Sequence, residues 1–190
     1  MSYSALKEWA VTCAALAAGD QIVILRKGGI GEKRFSLPHS SFFLFPTYAH
    51  QRADLVHGDA AERFGAALNR RDDPTHLPLD LWATITDSYE ITDVDALTAI
   101  ESAQILTSDY AMERLKWRRT QPLWAVILRI SQLTDPPVLH VGPEHGGCVS
   151  WLDLPDEISL PTHTPVLDDA AFQAASSDIA DRLAPFVTAR

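Results

Sequence analysis

Leu123-Trp124-Ala125-Val126-Ile127-Leu128-Arg129-Ile130 is apolar on both faces that a two-residue alternation would present. A strand of this kind is covered on both sides. The reading extends it from Pro122 to Leu133, with Pro136-Pro137 ending it. Phe42-Phe43-Leu44-Phe45 has the same character, in a strand from about Ser41 to Phe45 that stops at Pro46. Gln21 to Arg26 is a β-branched strand that breaks at Gly28-Gly29. A long strand or hairpin spans about Leu79 to Ile91, and Gly147 to Leu154 reads as one more strand.

Helices fill the intervals. Leu6, Trp9, Ala10, Cys13, Leu16 and Ala17 follow the rhythm of one buried helical face, with Ser4 to cap its start and Gly19 its end. Tyr48 to about Leu68 is helical but interrupted at His57-Gly58-Asp59. Thr92-Asp93 caps a helix bearing Val94, Leu97 and Ile100, and another starts near Ser108-Asp109 and carries Met112 and Leu115. Asp168 to Leu183 is a final helix, acidic at its start. The order α-β-β-α-β-αα-β-β-α has too few βαβ units for a doubly wound parallel sheet. It predicts an α+β single domain whose mixed, largely antiparallel, curved sheet, able to form a small open barrel, is flanked by helices. Residues 1–154 are expected to form its core, and residues 155–190 a proline-spaced linker and C-terminal helix.

The 190 residues suit one domain. No run approaches the roughly 20 apolar residues of a membrane span. Met1-Ser2-Tyr3-Ser4 does not open a signal peptide, and two cysteines make no disulfide framework. A cytoplasmic protein without a membrane partner is expected. The net charge of −9 argues against broad coating of DNA. The charge is uneven, however: residues 1–130 carry 14 Lys and Arg against 16 Asp and Glu, and residues 131–190 carry 2 against 9. Two short stretches are basic, around Arg26-Lys27 and from Arg114 to Arg119.

Four segments are candidates for chemistry. Arg26-Lys27-Gly28-Gly29, with Glu32 beyond, puts two cations at the mouth of a glycine turn whose N–H groups could cradle an anion. Its spacing is neither a P-loop nor a dinucleotide fingerprint. Thr47-Tyr48 with His50-Gln51 places a polar cluster at the end of a buried strand, although Thr47 also suits a helix cap. Tyr110, Arg114 and Trp117 share one helix face, suited either to stacking on a base and contacting phosphate or to packing. Glu144-His145-Gly146-Gly147-Cys148 holds a conceivable Cys–His pair but reads more simply as a turn into a strand. No cofactor or metal motif is present.

Together these blocks resemble a bacterial family known only as a domain of unknown function, number eighteen-oh-two. The resemblance runs in order from about residue 5 to 154, through Arg26-Lys27-Gly28-Gly29-Ile30, Phe45-Pro46-Thr47-Tyr48, Arg114 with Trp117, and Gly146-Gly147-Cys148 with Ser150-Trp151. It carries no catalytic assignment. Some relatives are associated with Mrr-type restriction endonuclease domains. The resemblance therefore implies a link to restriction–modification, with this chain as a recognition or accessory part beside a nuclease subunit. The first expectation is a nucleic-acid-associated module acting through a local basic face. The alternatives are a small enzyme with an anion pocket around His50 and Arg26 or Arg114, and a non-catalytic protein-interaction domain.

Overall fold

The structure is a computed structural model that describes residues 3–27, 38–70, 74–116, 123–147 and 149–186. Strand β6 (Leu123–Leu133) is its spine. On one edge β6 pairs antiparallel with β5 (Leu81–Ile91). On the other it takes β2 (Val23–Arg26) beside Trp124 to Ile127, and β9 (His163–Pro165) beside Ser131 to Leu133. Beyond β5 come β3 (Ser41–Thr47), then β1 (Ser4–Trp9), then β8 (Trp151–Asp153). The seven-stranded sheet is mixed and largely antiparallel, and β1–β3 is the parallel pair among the described residues. A short antiparallel pair, β4 (His76–Pro78) and β7 (Val138–His140), forms a second sheet.

The two-sided burial expected of the central strands is present, and alternation explains it. Leu123, Ala125 and Ile127 enter one apolar cluster, while Val126, Leu128 and Ile130 enter another. Phe42 and Leu44 likewise face away from Phe43 and Phe45, which lie in a third cluster with Leu77 and Leu139 of the small sheet. A bulge between Ile85 and Asp87 bends β5. The curl brings the two ends of the row β2-β6-β5-β3-β1 together without closing it. Arg26 Nη1 at the end of β2 donates to the Lys7 carbonyl of β1 at 2.9 Å, so a side chain bridges the seam where a closed barrel would have a backbone ladder.

The helices are α1 (Ala10–Ala18), α2 (Gly58–Arg63), α3 (Gly65–Asn69), α4 (Val94–Ala99), α5 (Ser108–Lys116) and α6 (Asp169–Leu183). Asp93 caps α4 through the Asp95 N–H, Asp168 caps α6 through the Ala171 N–H, and Gly19 ends α1 at φ 75°. These are the local devices the sequence announces.

Several expectations are corrected. The first element is a strand followed by a helix: Ser4 to Trp9 pairs with β3 and β8, and α1 begins only at Ala10. Ser4 therefore caps nothing, and its hydroxyl meets His39 Nε2 at 3.0 Å. Tyr48 to Arg52 is a turn rather than a first helical turn. The helix expected from Ser108 is present as α5, with Tyr110 and Ala111 buried and Met112 and Leu115 half-buried. The strand near residue 150 covers only Trp151–Asp153. After residue 154 the chain adds the short strand β9, and the expected final helix is present as α6, with Ile179 and Leu183 buried in the first apolar cluster.

Candidate functional site

A cavity of about 850 Å³ opens where the ends of β1, β2 and β3 meet α5 and the described residues of the loop, 141–147 and 149–150. The same curl that leaves the seam unclosed creates it. Its charged floor is built around Glu8, which is 5% exposed. One carboxylate oxygen accepts from the Trp9 N–H at 2.8 Å, and the other faces Arg26 Nη1 at 3.2 Å. A carboxylate so deep is tolerable because both oxygens are engaged and the opposite charge is adjacent.

Lys27, 2% exposed, donates from Nζ to the Leu115 carbonyl at 2.6 Å. It thus places a cation at the carbonyl end of α5, where the helix dipole favours it. Burial pushes its ammonium below the ordinary lysine range. On α5, the Arg114 guanidinium lies 5.1 Å from the ring centre of Tyr110, and Trp9 meets the same ring edge-on at 5.1 Å. Burial pushes the Tyr110 hydroxyl up. Arg52 grips Glu113 with one nitrogen, at 3.0 and 3.1 Å, and Asp54 with another at 2.6 Å, which holds the Asp54 carboxyl below its ordinary range. Arg114 makes no ion pair among the described residues.

Of the residues singled out from sequence, Arg26, Lys27, Thr47, His50 and Arg114 line this one cavity. Thr47 donates to the Glu8 carbonyl at 3.1 Å, so its hydroxyl ties β3 to β1 instead of capping a helix. His50 is exposed, in a left-handed conformation at φ 67°. Tyr48 and Gln51 stand apart from the cavity. Tyr48 packs against the third apolar cluster under the Arg70 guanidinium, and buried Gln51 accepts from the Val11 N–H and donates to the Ala67 carbonyl, joining α1 to α3. Gly28, Gly29, Glu32, Trp117 and Cys148 lie outside the described residues, so the proposed glycine turn and the Cys–His pair are not described.

The cavity also recruits residues the sequence reading passed over. Lys7 and Glu8 were hidden by the helical assignment of the first segment. Lys7 Nζ donates to the carbonyls of Gly146 and Gly147 at 3.2 and 3.1 Å and pins the far loop to β1. His145, from the fourth candidate segment, also lines the cavity. It is buried, its Nδ1 receives the Gly142 N–H at 3.0 Å, and the exposed Glu144 carboxylate stands 3.3 Å from the same nitrogen. Cys13 is sealed in the core, where burial and the nearby Glu8 raise its thiol well above the ordinary range and keep it unreactive. Among the described residues no group of three or more His, Cys, Asp or Glu could hold a metal, and no helix is long and apolar enough to cross a membrane.

The family model described as a domain of unknown function (DUF1802) matches residues 5–178. The chain belongs to that family. The DUF1802 match extends beyond Leu154, where the resembling sequence blocks end, and takes in β9 and most of α6. No curated protein matches the sequence. Among solved structures, two mutant forms of ZmASCH from Zymomonas mobilis are similar in overall path. One has a TM-score of 0.47 at 12% identity, covering 99% of this chain and 100% of that one. The other has a TM-score of 0.46 at 10% identity, covering 98% and 96%. At that level the likeness is one of overall path and says nothing about chemistry.

Proposed function

We propose that this DUF1802 protein is a nucleic-acid recognition or accessory module that works through the cavity at the β1–β2 seam. One observation carries the reading. Among the described residues, Lys7, Arg26, Lys27, Arg52 and Arg114 line a single concavity with Glu8 and Glu113, and Asp54 is held by Arg52 beside it, on a chain whose net charge is −9. Five cations against these three carboxylates leave an excess of positive charge at the hollow of an otherwise acidic protein, which suits an anionic guest. The Trp9–Tyr110–Arg114 group adds aromatic and guanidinium surfaces suited to a stacked base.

The test is fluorescence anisotropy with single-stranded and duplex oligonucleotides at salt concentrations from about 50 to 200 mM. Binding that weakens as salt rises is expected, with Arg114→Ala and Lys27→Ala each lowering affinity, by at least about tenfold for Arg114→Ala. A protein with no salt-sensitive binding to any of these strands would leave the protein-interaction reading in front. Partnership with a nuclease subunit of a restriction-type system rests on family resemblance alone. It is tested by whether the chain alters the cleavage rate of an Mrr-type enzyme.

A small enzyme is the second reading, and His50 is what favours it. A left-handed backbone costs a residue with a Cβ about 1–2 kcal/mol, and such strain gathers at functional sites. Here it exposes an imidazole at a cavity that Arg26 and Arg114 also line. Turnover of a phosphoester, lost in His50→Ala while binding persists, would move the enzyme reading ahead.

A further inference from the structure

The cavity has two chemically different walls. One is cationic, formed by the end of β2 and by α5, with Arg26, Lys27 and Arg114. The other is formed by the loop 141–150 over β1 and β3, and His145 is its polar centre. This second wall is held in place: Lys7 ties down the Gly146 and Gly147 carbonyls, and the Gly142 N–H fixes the His145 ring through Nδ1. The Phe45 ring lies nearly parallel to the His145 ring, at 14° with centroids 6.5 Å apart.

Fixing Nδ1 decides the chemistry of the other ring nitrogen. In the neutral ring an Nδ1 that accepts the Gly142 N–H leaves the proton on Nε2, and in the imidazolium, where Nδ1 faces the Glu144 carboxylate at 3.3 Å as a donor, Nε2 is protonated as well. Nε2 therefore offers a donor in both states, and it meets no protein partner among the described residues. The site is also a hollow rather than a ridge. Reading a duplex groove takes an element that protrudes into the groove, whereas a hollow receives a group that protrudes from the nucleic acid. Its volume falls in the range of roughly 300–1,000 Å³ that suits one small-molecule-sized guest.

We propose that the cavity takes one nucleotide unit, unpaired or extruded from a strand, with its phosphate against the Arg114 wall and an acceptor on its base edge against His145 Nε2. The inference rests on the nucleic-acid reading above and narrows it to a single unit. His145 is then the residue that separates a nucleotide from any other organic phosphate.

The experiment is calorimetric titration of the full chain with the four nucleoside 5′-monophosphates and with ribose 5-phosphate. Each ligand is also tested as a competitor of a bound single-stranded 12-mer. Two conservative variants split the His145 ring. In His145→Asn the amide oxygen stands in for Nδ1, keeps the Gly142 contact and removes the far donor. In His145→Gln the amide nitrogen stands in for Nε2. At least one mononucleotide is expected to displace the 12-mer. His145→Asn is expected to weaken that mononucleotide about tenfold and leave ribose 5-phosphate unchanged, His145→Gln to keep most of the affinity, and Arg114→Ala to weaken both ligands alike. A 12-mer that binds but is displaced by no mononucleotide overturns the single-unit inference and leaves the nucleic-acid reading standing. If neither binds, both are wrong. Equal binding of nucleotides by wild type and His145→Asn removes His145 from recognition.

Discussion

Arg26 and Glu8 form an ion pair of 3.2 Å across the unclosed seam of the sheet, with side-chain exposures of 14% and 5%. The same guanidinium hydrogen-bonds the Lys7 backbone, so the pair both neutralises a buried carboxylate and joins β2 to β1. Glu8→Ala removes the buried carboxylate that faces the largely buried Arg26 guanidinium and should cost about 3–5 kcal/mol in urea denaturation. The double variant Glu8→Leu with Arg26→Met should recover most of that loss. A double variant no better than Glu8→Ala would mean that the Arg26–Lys7 bridge, rather than the charge pair, holds the seam.

Phe43 is fully buried and meets Trp82 and Tyr3 edge-on, with ring centres 5.0 and 5.7 Å away. Phe43→Ala should cost roughly 3–5 kcal/mol. Exposed Val138 on β7 supplies the control, since Val138→Ala should stay within about 0.5 kcal/mol of wild type. A denaturation midpoint unmoved by Phe43→Ala would refute the two-sided burial of β3.

The division into a core of residues 1–154 and an appendage of 155–190 is tested by deleting residues 162–190. The deletion removes β9 from the edge of β6 and uncovers the cluster that Ile179 and Leu183 seal at 2% and 0% exposure. The sheet should still form, giving a native-like far-ultraviolet circular dichroism spectrum. Stability should drop by several kcal/mol, since each buried aliphatic side chain removed costs about 2–5 kcal/mol. An unfolded product would make α6 an obligatory part of the core.

Lys27 gives a pH signature. Burial lowers its folded-state value below the ordinary 10.5, so the unfolded chain binds this proton more tightly than the folded one. Stability attributable to Lys27 therefore rises with pH between the lowered folded value and 10.5. Lys27→Met removes that rise. The difference between wild-type and Lys27→Met unfolding free energies, measured from pH 7 to 10.5, should change in favour of wild type as pH climbs. A flat difference would place the Lys27 ammonium in water.

The parts of the fold legible in the sequence are those whose cause is local or whose pattern is unambiguous. Leu123 to Leu128 and Phe42 to Phe45 are apolar at odd and even positions alike, and Asp93 and Asp168 cap helices within three residues of themselves. β1 was hidden because Ala5, Leu6, Lys7 and Glu8 are good helix formers, and only pairing with residues 43–47 and 151–153 overrides that preference. β9 was hidden by its brevity and its prolines. At the cavity, Arg26, Lys27 and Arg114 were legible as basic clusters beside a glycine turn and an aromatic. Glu8 and His145 were not, because what marks them is their burial beside partners distant in sequence.

Lys7 reaches Gly147 across 140 residues, and Lys27 reaches Leu115 across 88. Contacts so distant along the chain form slowly, because the loops they close are costly to order first. The hollow at the seam consequently has no existence on a nascent chain until residue 150 has left the ribosome. For most of its synthesis the polypeptide carries Arg26 without the segments that wall the hollow beside it, because Arg114 and Gly146 lie 88 and 120 residues further along the chain.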